Sequence, residues 1–460
     1  MKKNIFIFAF LLSLFTACES KLDIVPKGQA VLTTVEELES LLNQRYGFST
    51  PTGDLALICN EACASRSLVT TAYSQPNTLE YAYLFWNESI DRATLSTSDA
   101  TYNSIYQYVN YMNVILAKID DAEGDAHTKE VIIAEAHIMR AYLHWLGVNI
   151  YAKQYDEATA ATEGGIAYVT DIDVSKQKEK LTVQAVYDNI LADCAQEYID
   201  ALPDEAPSCI RAGKSWGYAV RAKVLMQMKR YDEALTMANK ALEYQDVIED
   251  RSSILETGMW SLNYDSPNNI LFMASMVSPC LELISPETVA KFEEGDYVKD
   301  YSTTWNDISG EATSGVPGSS YCLAFTIWGN SFGLTVERIM YVAAECYIRS
   351  GEIETGLGLV NKIREKRIHK DFYQPFSADT EEEAMALLQD AKWIECIGTY
   401  ENFFDCKRWN SEDKYKRTIT KTIPINDEEM TFSIAPDSPL WVLPFPSNAV
   451  QYNSSLTQNY

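Results

Sequence analysis

Apolar residues recur at helical spacing along much of the chain. Ile105, Val109, Met112, Leu116 and Ile119 step by four and three, as do Ile138, Ala141, Trp145 and Val148; each set lines one buried face of an amphipathic helix. Thr33-Thr34-Val35-Glu36 has the polar opening of a helix cap and predicts a first helix over 37–46. The same periodicity predicts helices at 182–201, 215–228, 231–244, 334–350, 353–368 and 380–400. Period-two alternation is scarce by comparison, so the pattern describes a mainly α protein.

Two predicted helical hairpins match at a constant offset of 122 residues, pairing Ala222 with Ala344, Met226 with Ile348, Tyr231 with Ile353, Ala234 with Gly356 and Ala238 with Val360. Asn239-Lys240 recurs unchanged as Asn361-Lys362. Small residues at these positions let paired helices approach closely, and the short turns at Lys229-Arg230 and Ser350-Gly351 read like those of tetratricopeptide hairpins. The two units are not in tandem; they are expected to stack in space while the chain between them forms a second face. That intervening chain, from about 249 to 333, loses helical periodicity and is rich in Gly, Pro, Ser, Thr and Asn around Trp260, Tyr264, Tyr297, Tyr301, Trp305, Tyr321 and Trp328. So much irregular chain in a compact protein usually carries function. The stretch 73–87, with Tyr81, Tyr83 and Trp86, has the same character.

Composition narrows the function. The 460 residues are 47% hydrophobic, which excludes a disordered or collagenous chain, and 12% aromatic, more than helical packing needs. A net charge of -27 with no compensating basic patch argues against nucleic acid as a partner. At the N-terminus, Lys2 and Lys3 precede an apolar run from Ile5 to Phe15 and then Thr16-Ala17-Cys18, the layout of a secretory signal too short to span a bilayer. The Cys after a small residue resembles a bacterial lipobox, with Cys18 acylated and becoming the mature N-terminus. Nine of the ten cysteines then remain, an odd number that cannot close a disulfide framework. Cys59 and Cys63 lack a second Cys or His pair to complete a zinc site, so no structural metal is expected.

Catalytic patterns fail in turn. Gly213-Lys214-Ser215 lacks the first Gly of a phosphate loop, and Gly356-Leu357-Gly358 lacks the third Gly and preceding strand of a dinucleotide site. His137 and His144 do not have zinc-protease spacing, no nucleophile elbow exists, and four His offer little general-base chemistry. Acidic pairs such as Asp120-Asp121 and Glu293-Glu294 arise by chance among 65 acids and coat a solvated surface more readily than they serve a glycosidase.

Several motifs in order carry a family resemblance. Leu22-Asp23-x-x-Pro26 follows the lipid Cys; Asn43-Gln44-Arg45-Tyr46 closes the first helix; Tyr102-Asn103-Ser104-Ile105-Tyr106 precedes the first repeat. Glu135-Ala136 with Arg140-Ala141-Tyr142, Val186-Tyr187 with Ile190 and Asp193, Arg211-Ala212-Gly213-Lys214, and Arg338 leading into Ala343-Ala344-Glu345-Cys346-Tyr347 come next. Phe404-Asp405-x-Lys407-Arg408-Trp409, Leu440-Trp441-x-x-Pro444-x-Pro446 and the final Gln458-Asn459-Tyr460 complete the series. Together they resemble the SusD/RagB family of outer-membrane nutrient-binding lipoproteins. The chain departs from that family at Ala391-Lys392-Trp393-Ile394-Glu395 and Gly398-Thr399-Tyr400-Glu401-Asn402, motifs expected to serve ion-pair networks.

The resemblance implies a SusD-like α-α superhelix of tetratricopeptide-like helical hairpins with long irregular ligand-binding insertions. It divides the chain into a lipoprotein signal (1–17), an N-terminal part with helical repeats (18–248), the aromatic-rich insertion (249–333) and a C-terminal part (334–460), packed as one composite unit. It implies a non-enzymatic receptor without cofactor, lipid-anchored at Cys18 in the outer membrane and facing the cell exterior. Such a receptor captures oligosaccharides for a SusC-like TonB-dependent transporter. Sugar rings stack on aromatic faces while amides and carboxylates take their hydroxyls. Tyr83, Trp86, Asn87, Trp305, Asn306, Tyr321 and Trp328 have that composition and are the expected ligand-binding residues. A peptide receptor of the same fold, and more distantly a lipoprotein glycosidase, are the alternatives.

Overall fold

A computed structural model describes residues 32–460 apart from 45, 49–51, 174, 259–268, 273, 277–281, 304–309, 323–329 and 427. Cys18 and the motif Leu22-Asp23-x-x-Pro26 lie outside the described residues. Helices dominate. The predicted faces around Ile105 and Ile138 belong to helices Ala100–Lys118 and Ala126–Tyr151, which pack against each other. The second is buried on all sides through its last turns, because the helix Val183–Asp193 and the C-terminal tail cover what its neighbour does not.

The two matching hairpins do stack. Lys214–Gln227 pairs with Tyr231–Tyr244, Val336–Arg349 pairs with Ile353–Arg364, and Tyr231–Tyr244 packs directly on Val336–Arg349. Both turns pass through a left-handed residue at the equivalent position, Lys229 at φ 60° and Gly351 at φ 89°. Gly adopts that conformation without strain. At Lys229 the side chain instead reaches Asp156 and Ser411. In the second hairpin, a Cβ on Gly356 would lie 2.6 Å from the carbonyl oxygen of Ala344, so the close approach requires the missing side chain.

Element ends differ from the sequence reading where local chemistry intervenes. The first helix is only Val35–Glu39, fixed by a reciprocal capping box between Thr34 and Glu37, and Tyr46–Phe48 is a strand pairing in parallel with Ala274–Met276. The 182–201 helix is two pieces, Val183–Asp193 and Gln196–Ala201, broken at the extended Ala195. A hairpin of strands Ile419–Ile425 and Glu428–Ile434, turned at Asn426 with φ 51°, was not anticipated. Its apolar face, Ile423 and Ile425, packs with Val69, Ala72, Leu84 and Phe85.

The aromatic-rich stretch is tied into the body at several points. Ile270–Phe272 pairs with Leu334–Thr335, Glu282–Ile284 pairs antiparallel with Ser320–Cys322, and Ile254, Ile284, Phe292, Tyr297, Val298 and Ile397 form a second small core. The departures from the family motifs fall in buried ion-pair networks. Arg408 bridges Glu345 at 2.6 Å and Asp405 at 2.9 Å; Lys392 pairs with Asp405, and Lys223 with Glu401. Glu395 is held by Arg367 at 2.8 Å and Arg251 at 3.1 Å. Among the described residues no helix is long and apolar enough to cross a membrane.

Candidate functional site

The irregular stretches meet at one place. After the helix Thr52–Ile58 the chain turns through Asn60, at φ 64°, and runs alongside Glu282–Ile284. Cys63 N–H donates to Leu283 O at 2.8 Å and Ser285 N–H to Glu61 O at 3.0 Å, so residues 60–63 add a third member to the ladder formed with Ser320–Cys322. Ser285 Oγ donates to Asn60 O at 2.6 Å and Thr288 Oγ1 to Glu61 O at 2.9 Å, pinning this edge. The unanticipated hairpin closes the other side.

Between these walls lies a cavity of about 310 Å³. Leu57, Asn60, Cys63, Val69 and Leu84 line one wall; Ser285, Pro286, Glu287, Val316 and Pro317 line the second; Thr420 to Pro424 and Glu429 line the third. Apolar surface with a few converging polar groups is the usual make-up of a small-molecule site. Both sequence stretches singled out for their irregularity contribute to it.

The floor is Lys421. Its ammonium lies 3.8 Å from the centre of the Trp86 ring, a cation–π contact, and donates to Leu57 O at 3.4 Å. Trp86 Nε1 donates to the same carbonyl at 3.2 Å. Trp86 itself has φ 48°, a conformation that costs a bulky residue on the order of 1–2 kcal/mol. Packing on all sides holds it there. Burial pushes the Lys421 amine down to about 7, and no described carboxylate comes within ion-pair distance of it. The nearby Cys63 thiol donates to Ile284 O at 3.6 Å and is pushed up by burial to about 11, so it is neutral at pH 7.

The expected ligand residues fare differently. Tyr83 and Trp86 were expected to turn their rings to a ligand, but they are only 2% and 5% exposed. Composition could not reveal this: the hairpin that covers Trp86 comes from more than three hundred residues away in sequence. Asn87 is half-buried and its Oδ1 is taken by the N–H and hydroxyl of Ser89. Tyr321 is half-buried in the strand opposite Leu283, beside the cavity wall. Trp305, Asn306 and Trp328 lie outside the described residues. Sequence reasoning missed Lys421, although Ile419, Lys421, Ile423 and Ile425 alternate with polar or Pro residues before Asn426-Asp427, a legible strand and turn.

A second cavity, about 460 Å³, lies among Lys153, Gln154, Lys407, Asn410, Trp441 and Tyr460. Its buried cation is spent on structure: Lys407 Nζ donates to Asn149 O and Ala152 O, satisfying carbonyls at the end of the long helix. His137 and His144 are likewise engaged within the fold. His137 Nδ1 meets Asp193 Oδ1 at 2.8 Å, while His144 is held neutral by burial, Nδ1 donating to Arg140 O and Nε2 accepting from Val169 N–H.

Known proteins match this architecture. Residues 22–226 match a family model described as starch-binding and associating with the outer membrane, and residues 338–460 match the SusD family model. Among solved structures, a surface glycan-binding protein A from Bacteroides uniformis superposes with a TM-score of 0.66 at 14% identity, covering 93% of this chain and 99% of that one. A SusD-like carbohydrate binding protein from Bacteroides vulgatus gives 0.64 at 14%, covering 92% and 97%. A SusD superfamily protein from Bacteroides thetaiotaomicron gives 0.63 at 15%, covering 93% and 100%. No curated protein matches the sequence.

Proposed function

The chain belongs to the SusD family, and on that footing we propose that it is a cell-surface lipoprotein that captures oligosaccharides or polysaccharides. It hands them to a partner SusC-like TonB-dependent transporter of the outer membrane, with Cys18 as the lipid anchor. The observation that carries the reading is the cavity between residues 57–69, 285–317 and the 419–434 hairpin, where both irregular stretches converge on a mixed apolar and polar lining. Hydroxyls at Thr420 and Thr422, the Asn60 amide and the Glu287 carboxylate offer the hydrogen bonds a sugar needs.

Tyr321 stands at the edge of this face, and Trp305, Asn306 and Trp328 enter the proposal on their composition alone. Trp86 acts from behind, under Lys421, while Tyr83, buried, and Asn87, half-buried with its Oδ1 on Ser89, stay in the reading for their composition. The division at 248 and 333 into repeat, insertion and C-terminal parts is part of the same reading.

The test is affinity gel electrophoresis of the purified protein against plant, host and microbial polysaccharides, with a peptide pool run in parallel by calorimetry. Retardation by one glycan class is the expected result. Heat from peptides without retardation by any glycan would replace the ligand class.

A further inference from the structure

We propose that the cavity takes a carboxylate-bearing sugar, a uronic acid unit of an acidic glycan, with its carboxylate on Lys421 Nζ. The inference rests on the receptor reading above and names its ligand class.

The other buried lysines of the described chain are all matched by partners. Lys392 is paired with Asp405 and lies 3.8 Å from Glu401; Lys223 is paired with Glu401; Lys407 donates to two backbone carbonyls. Lys421 is 8% exposed and, among the described residues, has one long hydrogen bond, to Leu57 O at 3.4 Å, and the face of Trp86. A buried ammonium without a counter-charge is costly, and proteins normally pair it or neutralise it. Lys421 is among the residues lining the cavity, and its ammonium rests on Trp86 and Leu57 O, so a carboxylate that reaches Nζ from the cavity would supply the missing partner. A charge-assisted hydrogen bond in such a low-dielectric floor is worth more than one on the surface.

The remaining groups facing the cavity fit a sugar around that carboxylate. Thr420 and Thr422, exposed at its edge, offer hydroxyls. The carboxylate that acts on Lys421 is that of Glu287, and Glu429 shares the cavity lining; both are exposed and screened by solvent, and the thiols of Cys59 and Cys63 are neutral, since burial pushes both up. The free amine titrates near 7 because of its desolvation, and only its protonated form attracts an anion. Binding of an acidic sugar therefore weakens as pH rises above 7, approaching about tenfold per unit.

The experiment compares polygalacturonate and hyaluronan with the same polymers after carboxyl reduction, using the wild type, K421M and E429Q. The wild type should bind the acidic polymers, lose at least about tenfold in affinity on carboxyl reduction, and bind more weakly at pH 8.5 than at pH 6. K421M should lose at least about tenfold for the acidic polymers with an unchanged or raised melting temperature, since it removes an unpaired buried charge. E429Q, a change on the exposed rim, should bind them as well as or better than wild type. Retardation by neutral glycans alone, or acidic binding indifferent to both K421M and carboxyl reduction, overturns the inference and leaves the receptor reading standing. No retardation by any glycan, or heat only from acidic peptides, overturns both.

Discussion

The ammonium of Lys421 lies 3.8 Å above the ring of Trp86, and both groups donate to the carbonyl of Leu57. This contact joins the 419–434 hairpin to the stretch 73–87, and with it the third wall of the cavity to the first. Trp86 is thus a structural keystone of the site, held in a left-handed conformation by what packs around it.

Replacing Trp86 by Ala should therefore destabilise the protein by about 3–5 kcal/mol, the usual cost of emptying a buried aromatic site. Urea unfolding measures this. A variant as stable as wild type would mean that the ring is exposed and free to meet a ligand.

Two glycines in one helix should respond in opposite directions. Gly356→Ala places a Cβ 2.6 Å from Ala344 O and 2.7 Å from Ile348 Cγ1, and should lower the melting temperature. At Gly358 nothing lies within 4 Å, so Gly358→Ala should gain up to about 1 kcal/mol from helix propensity. Equal effects would contradict the close stacking of this hairpin.

Asp296 and Glu395 give stability opposite pH dependences. Burial raises the Asp296 carboxyl to about 6, against contacts with Val298 and Lys299 N–H and the charge of Arg251. Its folded value exceeds the unfolded one, so it costs stability as pH rises from about 4 to 6, and the cost is complete above that. Asp296→Asn should gain on the order of 2 kcal/mol over wild type at pH 8 and little at pH 4. Burial would also raise Glu395, but Arg251 and Arg367 outweigh it and hold the carboxyl at about 2. Its contribution is present above about 4.5 and is lost as pH falls toward 2, so Glu395→Gln should destabilise at pH 7 and flatten the acid limb. Thermal melts from pH 3 to pH 8 read both slopes.

Helices and repeats were legible because both are local patterns. The offset between Met226 and Ile348 located hairpins that stack, and the turns at Lys229 and Gly351 share a backbone conformation that the matched residues announce. The site was half legible. Low periodicity marked the stretches that build two of its walls. Its floor was missed because Lys421 acquires meaning only from partners remote in sequence: Leu57, Trp86 and the absence, among the described residues, of any carboxylate within ion-pair distance. Exposure was equally hidden. Trp86 beside Asn87 has the composition of a sugar platform, yet a strand from the far end of the chain covers it.

Blocking the cavity decides whether the ligand binds there. Thr422 is exposed at its mouth, so Thr422→Trp fills the opening without entering the core. Affinity gel electrophoresis on the polysaccharide that retards the wild type should show retardation lost in this variant, with its melting temperature unchanged. Undiminished retardation of a folded Thr422→Trp protein would contradict the account and move the ligand elsewhere on the surface.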